Sequence, residues 1–267
     1  MPDSFRDMHR PGSPFILANA WDAGSARMLV ALGAKAIGTS SAAHAFTLGR
    51  PDTGTITRDE ALAHAQSLVS AVNVPVSGDF ENGFGEAPET CAETVRLAAE
   101  VGLAGICIED TALPGDTPYD ASLSTERIRA AASAARALPR DFFLVAQADG
   151  ILTGHYNTDE AITRIRAFEA AGTDAVYVPA PPSMEALGRL VQATNLPFNA
   201  LVSGPFAKHS RAEFAALGVA RLSLGSALAR ATYRTIHTAG KDMFGTNSRF
   251  DTLSDALPFD VLDPMLK

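Results

Sequence analysis

Short apolar runs recur along the chain, each preceded by a turn signal and separated from the next by a segment with helical spacing. At Gly33, Gly102, Gly172 and Gly218 an alanine-rich stretch stops at a glycine, and an apolar run begins a few residues later. Glycine at the residue after a helix takes the left-handed conformation without a Cβ penalty. At Asn73-Val74-Pro75, Leu138-Pro139 and Asn195-Leu196-Pro197 the stop is a proline instead, again ahead of an apolar run. With the opening run Phe15–Asn19, these turns predict eight strands, beginning near Phe15, Ala36, Pro75, Ala104, Phe142, Ala175, Pro197 and Arg221. The intervening segments place apolar residues on one helical face, as Ala161, Ile162, Ile165 and Phe168 do.

Buried short strands alternating with helices predict a parallel sheet. Eight such units favour closure into a (β/α)8 TIM barrel over an open doubly wound sheet, whose glycine-rich dinucleotide fingerprint is missing. The length of 267 residues suits one barrel. We expect a single domain over 1–267, with the barrel at about 15–240 and a helical C-terminal extension at about 241–267. That tail carries Phe244, Phe250, Leu253, Leu257, Phe259, Val261 and Leu262. It is expected to pack on a neighbouring subunit or back on its own barrel.

Composition narrows the partners. A net charge of −8 with no basic run argues against nucleic acid. No apolar run approaches the ~20 residues of a membrane span, and Met1–Gly12 has no apolar leader core, so a cytoplasmic protein is expected. Two cysteines, Cys91 and Cys107, exclude a disulfide scaffold. One falls in a helical pattern and one inside a strand, and neither is expected to be catalytic.

In a barrel of this kind chemistry sits at the C-terminal ends of the strands. Strand 3 ends Gly78-Asp79-Phe80-Glu81-Asn82-Gly83-Phe84-Gly85. Carboxylates at i and i+2 share one face of an extended chain and repel unless a cation lies between them. Hard oxygen donors suit Mg²⁺, with Mn²⁺ as an alternative; a solvated turn is the competing reading. Strand 4 ends with Glu109-Asp110, strand 5 with Gln147-Ala148-Asp149, and strand 7 carries Asn199. Strand 2 ends Gly38-Thr39-Ser40-Ser41, whose backbone N–H groups could hold a carboxylate, and the loop after it carries Asp52. Trp21 is expected either to wall the pocket or to cap the barrel, and Asp22 to cap the next helix. His44, His155 and His209 read as surface loop residues without metal-ligand spacing, and Lys208 as an exposed lysine.

These segments together resemble the isocitrate lyase / phosphoenolpyruvate mutase superfamily, from about Phe15 to Gly240. The resemblance rests on Asn19-Ala20-Trp21-Asp22, Gly38–Ser41, Leu48-Gly49-Arg50-Pro51-Asp52, Gly78–Gly85 and Gly105–Asp110. It implies that Asp79 is the principal metal ligand, that Glu81, Asp52 and Glu109 hold the metal's waters, and that Ser40-Ser41-Ala42 binds the carboxylate of a small 2-oxo acid. The substrate-binding set is then Trp21, Ser40, Ser41, Ala42, Asp79 and Gln147, and the catalytic set Asp52, Glu109, Gln147 and Asn199. The implied chemistry is Mg²⁺-stabilised enolate formation, and the implied assembly a homotetramer, a dimer of dimers that exchange the C-terminal helix.

Two departures stand out. The family's loop after strand 4 carries a lysine or a Lys-x-Cys-Gly motif; here Thr111–Tyr119 has neither. Where the family has an arginine at the end of strand 5, this chain has Gln147, and an amide does not replace a bidentate guanidinium. Either the substrate carries one less charge, or another cation such as Arg50 reaches in. A Mg²⁺-dependent lyase or decarboxylase of a small 2-oxo acid or dicarboxylate is the leading expectation. A C–P or ester hydrolase, or phosphonomutase-like enzyme, and a non-catalytic 2-oxo-acid binder are the alternatives.

Overall fold

In the computed structural model, which describes residues 4–267, all eight strands begin within one residue of the expected positions. They are β1 (Phe15–Asn19), β2 (Ile37–Gly38), β3 (Val76–Asp79), β4 (Gly105–Glu109), β5 (Phe143–Gln147), β6 (Ala175–Tyr177), β7 (Phe198–Leu201) and β8 (Arg221–Ser223). Every pairing is parallel, and β8 pairs with β1, closing a (β/α)8 barrel. The helices are α1 (Ala23–Ala31), α2 (Ser41–Thr47), α3 (Arg58–Ala71), α4 (Pro88–Glu100), α5 (Ala121–Arg136), α6 (Thr158–Ala171), α7 (Met184–Gln192), α8 (Arg211–Ala216), α9 (Ala227–Met243) and α10 (Phe259–Met265). The signals read from the chain do their work locally. Asp22 N-caps α1 in a capping box with Ser25, and Gly172 ends α6 in the left-handed conformation.

Strand stagger decides which side chains reach the mouth. Gln147, the last residue of β5, lies level with Tyr177, Tyr177 with Asn199, Asn199 with Arg221, and Arg221 with Phe15, the first residue of β1. One circuit thus descends from the top of the barrel to its floor. The floor is closed by the N-terminal turn, where His9 stacks on Phe143 at 3.8 Å and Phe5 meets the same ring edge-on.

The tail is helical, as expected. Its α10 lies against α1 of the same chain, with the Arg27 guanidinium donating to the Leu266 carbonyl. Tyr233 and Ile236 on α9, and Phe244, Phe250 and Phe259 beyond it, stay exposed. Among the described residues no helix is long and apolar enough to cross a membrane.

Candidate active site

At the C-terminal end of the barrel a cavity of about 650 Å³ is lined by Asp52, Asp79, Glu81, Glu109 and Asp149. Ser40, Ser41, Ala42 and Gln147 border the same space. The expected acids are therefore brought together, and Asp149 joins them.

Asp79 ends β3 and is tied to the strand-2 turn: Ser41 donates to its Oδ2 from both backbone N–H and Oγ, each at 2.9 Å. Ser41 thus holds a carboxylate, and it is the chain's own. The Ser40 hydroxyl is spent on capping α2, accepting from the Ala43 N–H. Asp79 and Glu81 do not share a face of an extended strand. The chain leaves β3 after Asp79, and Glu81 takes a left-handed φ of 46°, an uncommon conformation for a non-glycine residue. Two contacts hold it there: the Glu81 N–H donates to Asp79 Oδ1, and its carbonyl accepts from the Glu109 N–H. The turn also drives Phe80 beneath the strand, into space that any side chain at Gly78 would fill.

Glu109 and Asp149 face one another across Gln147, whose Nε2 donates to Asp149 Oδ1 at 2.7 Å and to Glu109 Oε2 at 3.3 Å. Asp149 is fixed from below, since its N–H donates to Asp110 Oδ1, while Asp110 pairs with Arg164 at 3.0 Å and accepts from the Tyr156 hydroxyl. Asp110, a strand-end acid, is therefore structural rather than part of the cavity. Asp52 arrives on the loop after α2. That loop rests on the strand-4 loop, because Gly54 lies so close to Leu113 that a Cβ would sit 2.8 Å from Leu113 Cβ.

Crowding of like charge shows in the proton affinities. Burial, then the charges of Asp79 and Asp52, push Glu81 up to about 8. Burial, then the neighbouring Asp149, raises Glu109 well above the usual carboxylate range, and burial lifts Asp149 to about 6. Among the described residues no three His, Cys, Asp or Glu side chains converge tightly enough to cage an ion. All-oxygen donors around an open cavity fit Mg²⁺, which keeps several waters and takes few carboxylates directly.

Other expectations are corrected. Trp21 is outside the cavity lining; its N–H is held by Ser25 Oγ and its carbonyl by His64 Nε2, which fix its backbone at the entry to α1. Asn199 lies below the mouth, bonded to Ser223 and Arg221, because strand stagger lowers β7. His44 is neither in a loop nor on the surface: it is buried in α2 and stacked on His64 at 3.9 Å. Burial, then His64, lowers its proton affinity to about 4. Arg50 does not reach in; it pairs with Glu60 at 2.9 Å. The cation on the cavity wall is Arg230 of α9, which donates to Ser203 Oγ. Nothing in the local pattern marked Arg230, and Arg221 entered only as the start of the eighth strand, although a charge within a buried strand is the signal that could have found it.

Cys107 is buried in β4 and donates to Gln147 Oε1 at 3.0 Å, and burial raises its thiol well above the ordinary value. A thiol kept protonated is a poor base. Cys107→Ser should therefore retain activity within a few-fold; loss of turnover with the melting temperature unchanged would give Cys107 a chemical role.

The phosphoenolpyruvate phosphomutase family pattern matches residues 5–244. A Burkholderia cenocepacia J2315 structure provisionally described as a lyase/mutase is 41% identical and superposes with a TM-score of 0.92, over 98% of this chain and 93% of its own. The 2,3-dimethylmalate lyase of Eubacterium barkeri is 33% identical over 66% of this chain and 62% of its own. Oxaloacetate decarboxylase of Paraburkholderia xenovorans (strain LB400) is 31% identical over 68% of this chain and 62% of its own. The chain belongs to the phosphoenolpyruvate phosphomutase family of the isocitrate lyase / phosphoenolpyruvate mutase superfamily of lyases and mutases.

Proposed function

We propose that this protein is a Mg²⁺-dependent lyase or decarboxylase that cleaves a C–C bond in a small 2-oxo acid. The observation that carries the reading is the gathering of Asp52, Asp79, Glu81, Glu109 and Asp149 around one cavity, with the Ser41 turn beside it. Adjacent carboxylates of this kind are costly without a cation. The names of the two lyase relatives support cleavage of small acids.

Asp79 would hold the ion directly, and Asp52, Glu81 and Glu109 its waters; Mn²⁺ fits the same donors. Bound Mg²⁺ supplies positive charge beside the oxygen on which enolate charge develops. The N–H groups of the Ser41-Ala42 turn would receive the substrate carboxylate, that of Ser41 once Asp79 no longer accepts from it. Gln147 orients the substrate by its amide, and Asp149, near neutrality at about 6, is the group suited to give or take a proton. Leu113 of the strand-4 loop offers no such group, which favours cleavage towards CO₂ or an activated leaving group. The protein works in the cytoplasm as a homo-oligomer, a dimer of dimers in which a neighbouring subunit covers Ile236, Phe244 and Phe259, which are exposed in one chain, while the far end of α10 stays on its own α1.

The test is turnover of oxaloacetate, phosphonopyruvate, 2-methylisocitrate and oxalate esters, with Mg²⁺ and with EDTA. Release of pyruvate and CO₂ from oxaloacetate, abolished by EDTA, is the expected result. Binding without turnover of any of them would make the protein a 2-oxo-acid binder.

Gln147 sets the charge preference. A charge-assisted hydrogen bond is worth about 1.5–3 kcal/mol against roughly 1 for a neutral one. Gln147→Arg should therefore tighten oxalate about tenfold at saturating Mg²⁺, and pyruvate much less. Equal changes for both, or none, would mean that the guanidinium is spent on Asp149, 2.7 Å from the present amide.

A further inference from the structure

Beneath the mouth lies a second, smaller chamber of about 90 Å³ inside the barrel. Asp79, Gln147, Tyr177 and Gly225 border both spaces, so the chamber lies directly beneath the substrate cavity. Its far wall carries Arg221, which is 3% exposed. Arg221 Nε donates to Asn199 Oδ1 at 2.9 Å, and Asn199 Nδ2 donates to Ser223 Oγ at 2.9 Å, so the asparagine is locked with its acceptor towards the guanidinium. Nη1 of Arg221 has no partner, and no carboxylate pairs with Arg221 among the described residues. The charged or ionisable groups that approach it are His9 from the floor and Cys107 and Tyr177 from the walls, none of them an anion at neutral pH.

A buried guanidinium without a counterion is costly, and an unfilled donor in a polar chamber calls for an acceptor. We propose that this chamber is an anion site in which Arg221 holds one small carboxylate-sized oxyanion, replacing from below the cation that is absent at Gln147. The volume sets the class: one carboxylate fits, whereas a bulky polyhydroxy acid does not. The oxyanion comes either from the far end of the bound acid or from free solution. In the first case the proposal rests on the 2-oxo-acid reading of the mouth; in the second it does not. Asp79, on the upper wall, opposes the anion and limits its affinity in metal-free protein.

Formate is the probe, titrated into EDTA-treated protein with ionic strength held constant by gluconate, which is too large for the chamber. The melting temperature of the wild type should rise saturably with formate. Arg221→Gln should weaken that response at least tenfold. Ser77→Val, which leaves Arg221 in place and fills the chamber from β3, should do the same, so the test survives if the first variant fails to fold. Malonate then identifies the source. Competition between formate and malonate, with malonate also weakened by Arg221→Gln, places the far carboxylate of a diacid in the chamber; additive binding assigns it to a free anion. No saturable formate effect in the wild type, or one undiminished in both variants, would overturn the site and leave water as its occupant. Absence of turnover with every 2-oxo acid would sink the lyase reading without touching this result.

Discussion

Asp79→Ala should abolish measurable Mg²⁺ binding while leaving the barrel folded. Removal of groups that merely orient a metal's ligands costs 10–100-fold in affinity, so loss of the direct ligand should exceed about 100-fold, and the calorimetric heat should vanish. Folding should survive because Asp79 is only half-buried at the open end of β3. Its hydrogen-bond donors, the Ser41 N–H and hydroxyl, border the mouth cavity and can turn to water. Asp79 also contributes to the raised proton affinities of Glu81, Glu109 and Asp149. Without it the metal-free protein should therefore melt no lower than the wild type in EDTA. Unchanged Mg²⁺ affinity would place the ion elsewhere in the acid cluster, with Glu109 and Asp149 the next pair to test.

The barrel was legible because turn chemistry is local. A glycine after a helix or a proline before a strand acts within a few residues, which is why strands beginning at Val76, Gly105, Phe143 and Arg221 were found within one residue. The acids at the ends of β3 and β4 were legible for a related reason, since strand ends in this topology point to one face. What could not be read depends on neighbours distant in the chain. Asn199 is carried by an apparent site strand, yet it is the second residue of β7 and stagger leaves it below the mouth, paired with Arg221. Arg50 follows the helix after strand 2 but is taken by Glu60, ten residues on. His44 looked like a loop residue because Ser41-Ala42-Ala43 gives little helical periodicity, and only its stacking on His64 from α3 explains its burial. Glu81 was expected on an extended strand, and its left-handed φ depends on a hydrogen bond from Glu109, on the neighbouring strand.

Metal-free protein should lose stability as pH rises from 6.5 to 8, and Mg²⁺ should remove that loss. Glu81 carries the effect, with a folded value of about 8 against 4.5 for an ordinary glutamate. Between those values the unfolded chain has released this proton while the folded chain retains it, so the unfolded state binds fewer protons and stability falls with pH. Above 8 both states are ionised and the fall stops. Asp149, raised from 3.8 to about 6, contributes in the same direction but only below 6. Two histidines act oppositely there. His9 and His44 are lowered from 6.5 to about 3 and about 4, so their protonation in the unfolded chain makes stability rise with pH up to 6.5. The interval from 6.5 to 8 therefore isolates the buried carboxyls from the histidines, with Glu109, raised well above the ordinary value by burial and then Asp149, adding to the fall that Glu81 produces. One proton over that interval is worth at most about 2 kcal/mol, and less where water in the open cavity screens it, which corresponds to roughly 5 °C in melting temperature for a chain of this size. Thermal melts in EDTA at pH 6.5, 7.2 and 8 would measure it, with Glu81→Gln as the control that should reduce the slope by the share of Glu81 and leave only that of Glu109. Saturating Mg²⁺ should flatten it as well, by favouring the ionised carboxylate in the folded state. An undiminished slope in Glu81→Gln would mean that Glu81 ionises as an ordinary surface acid, and a level profile for the wild type in EDTA would mean that the acid cluster is not under the charge repulsion from which a metal site was inferred.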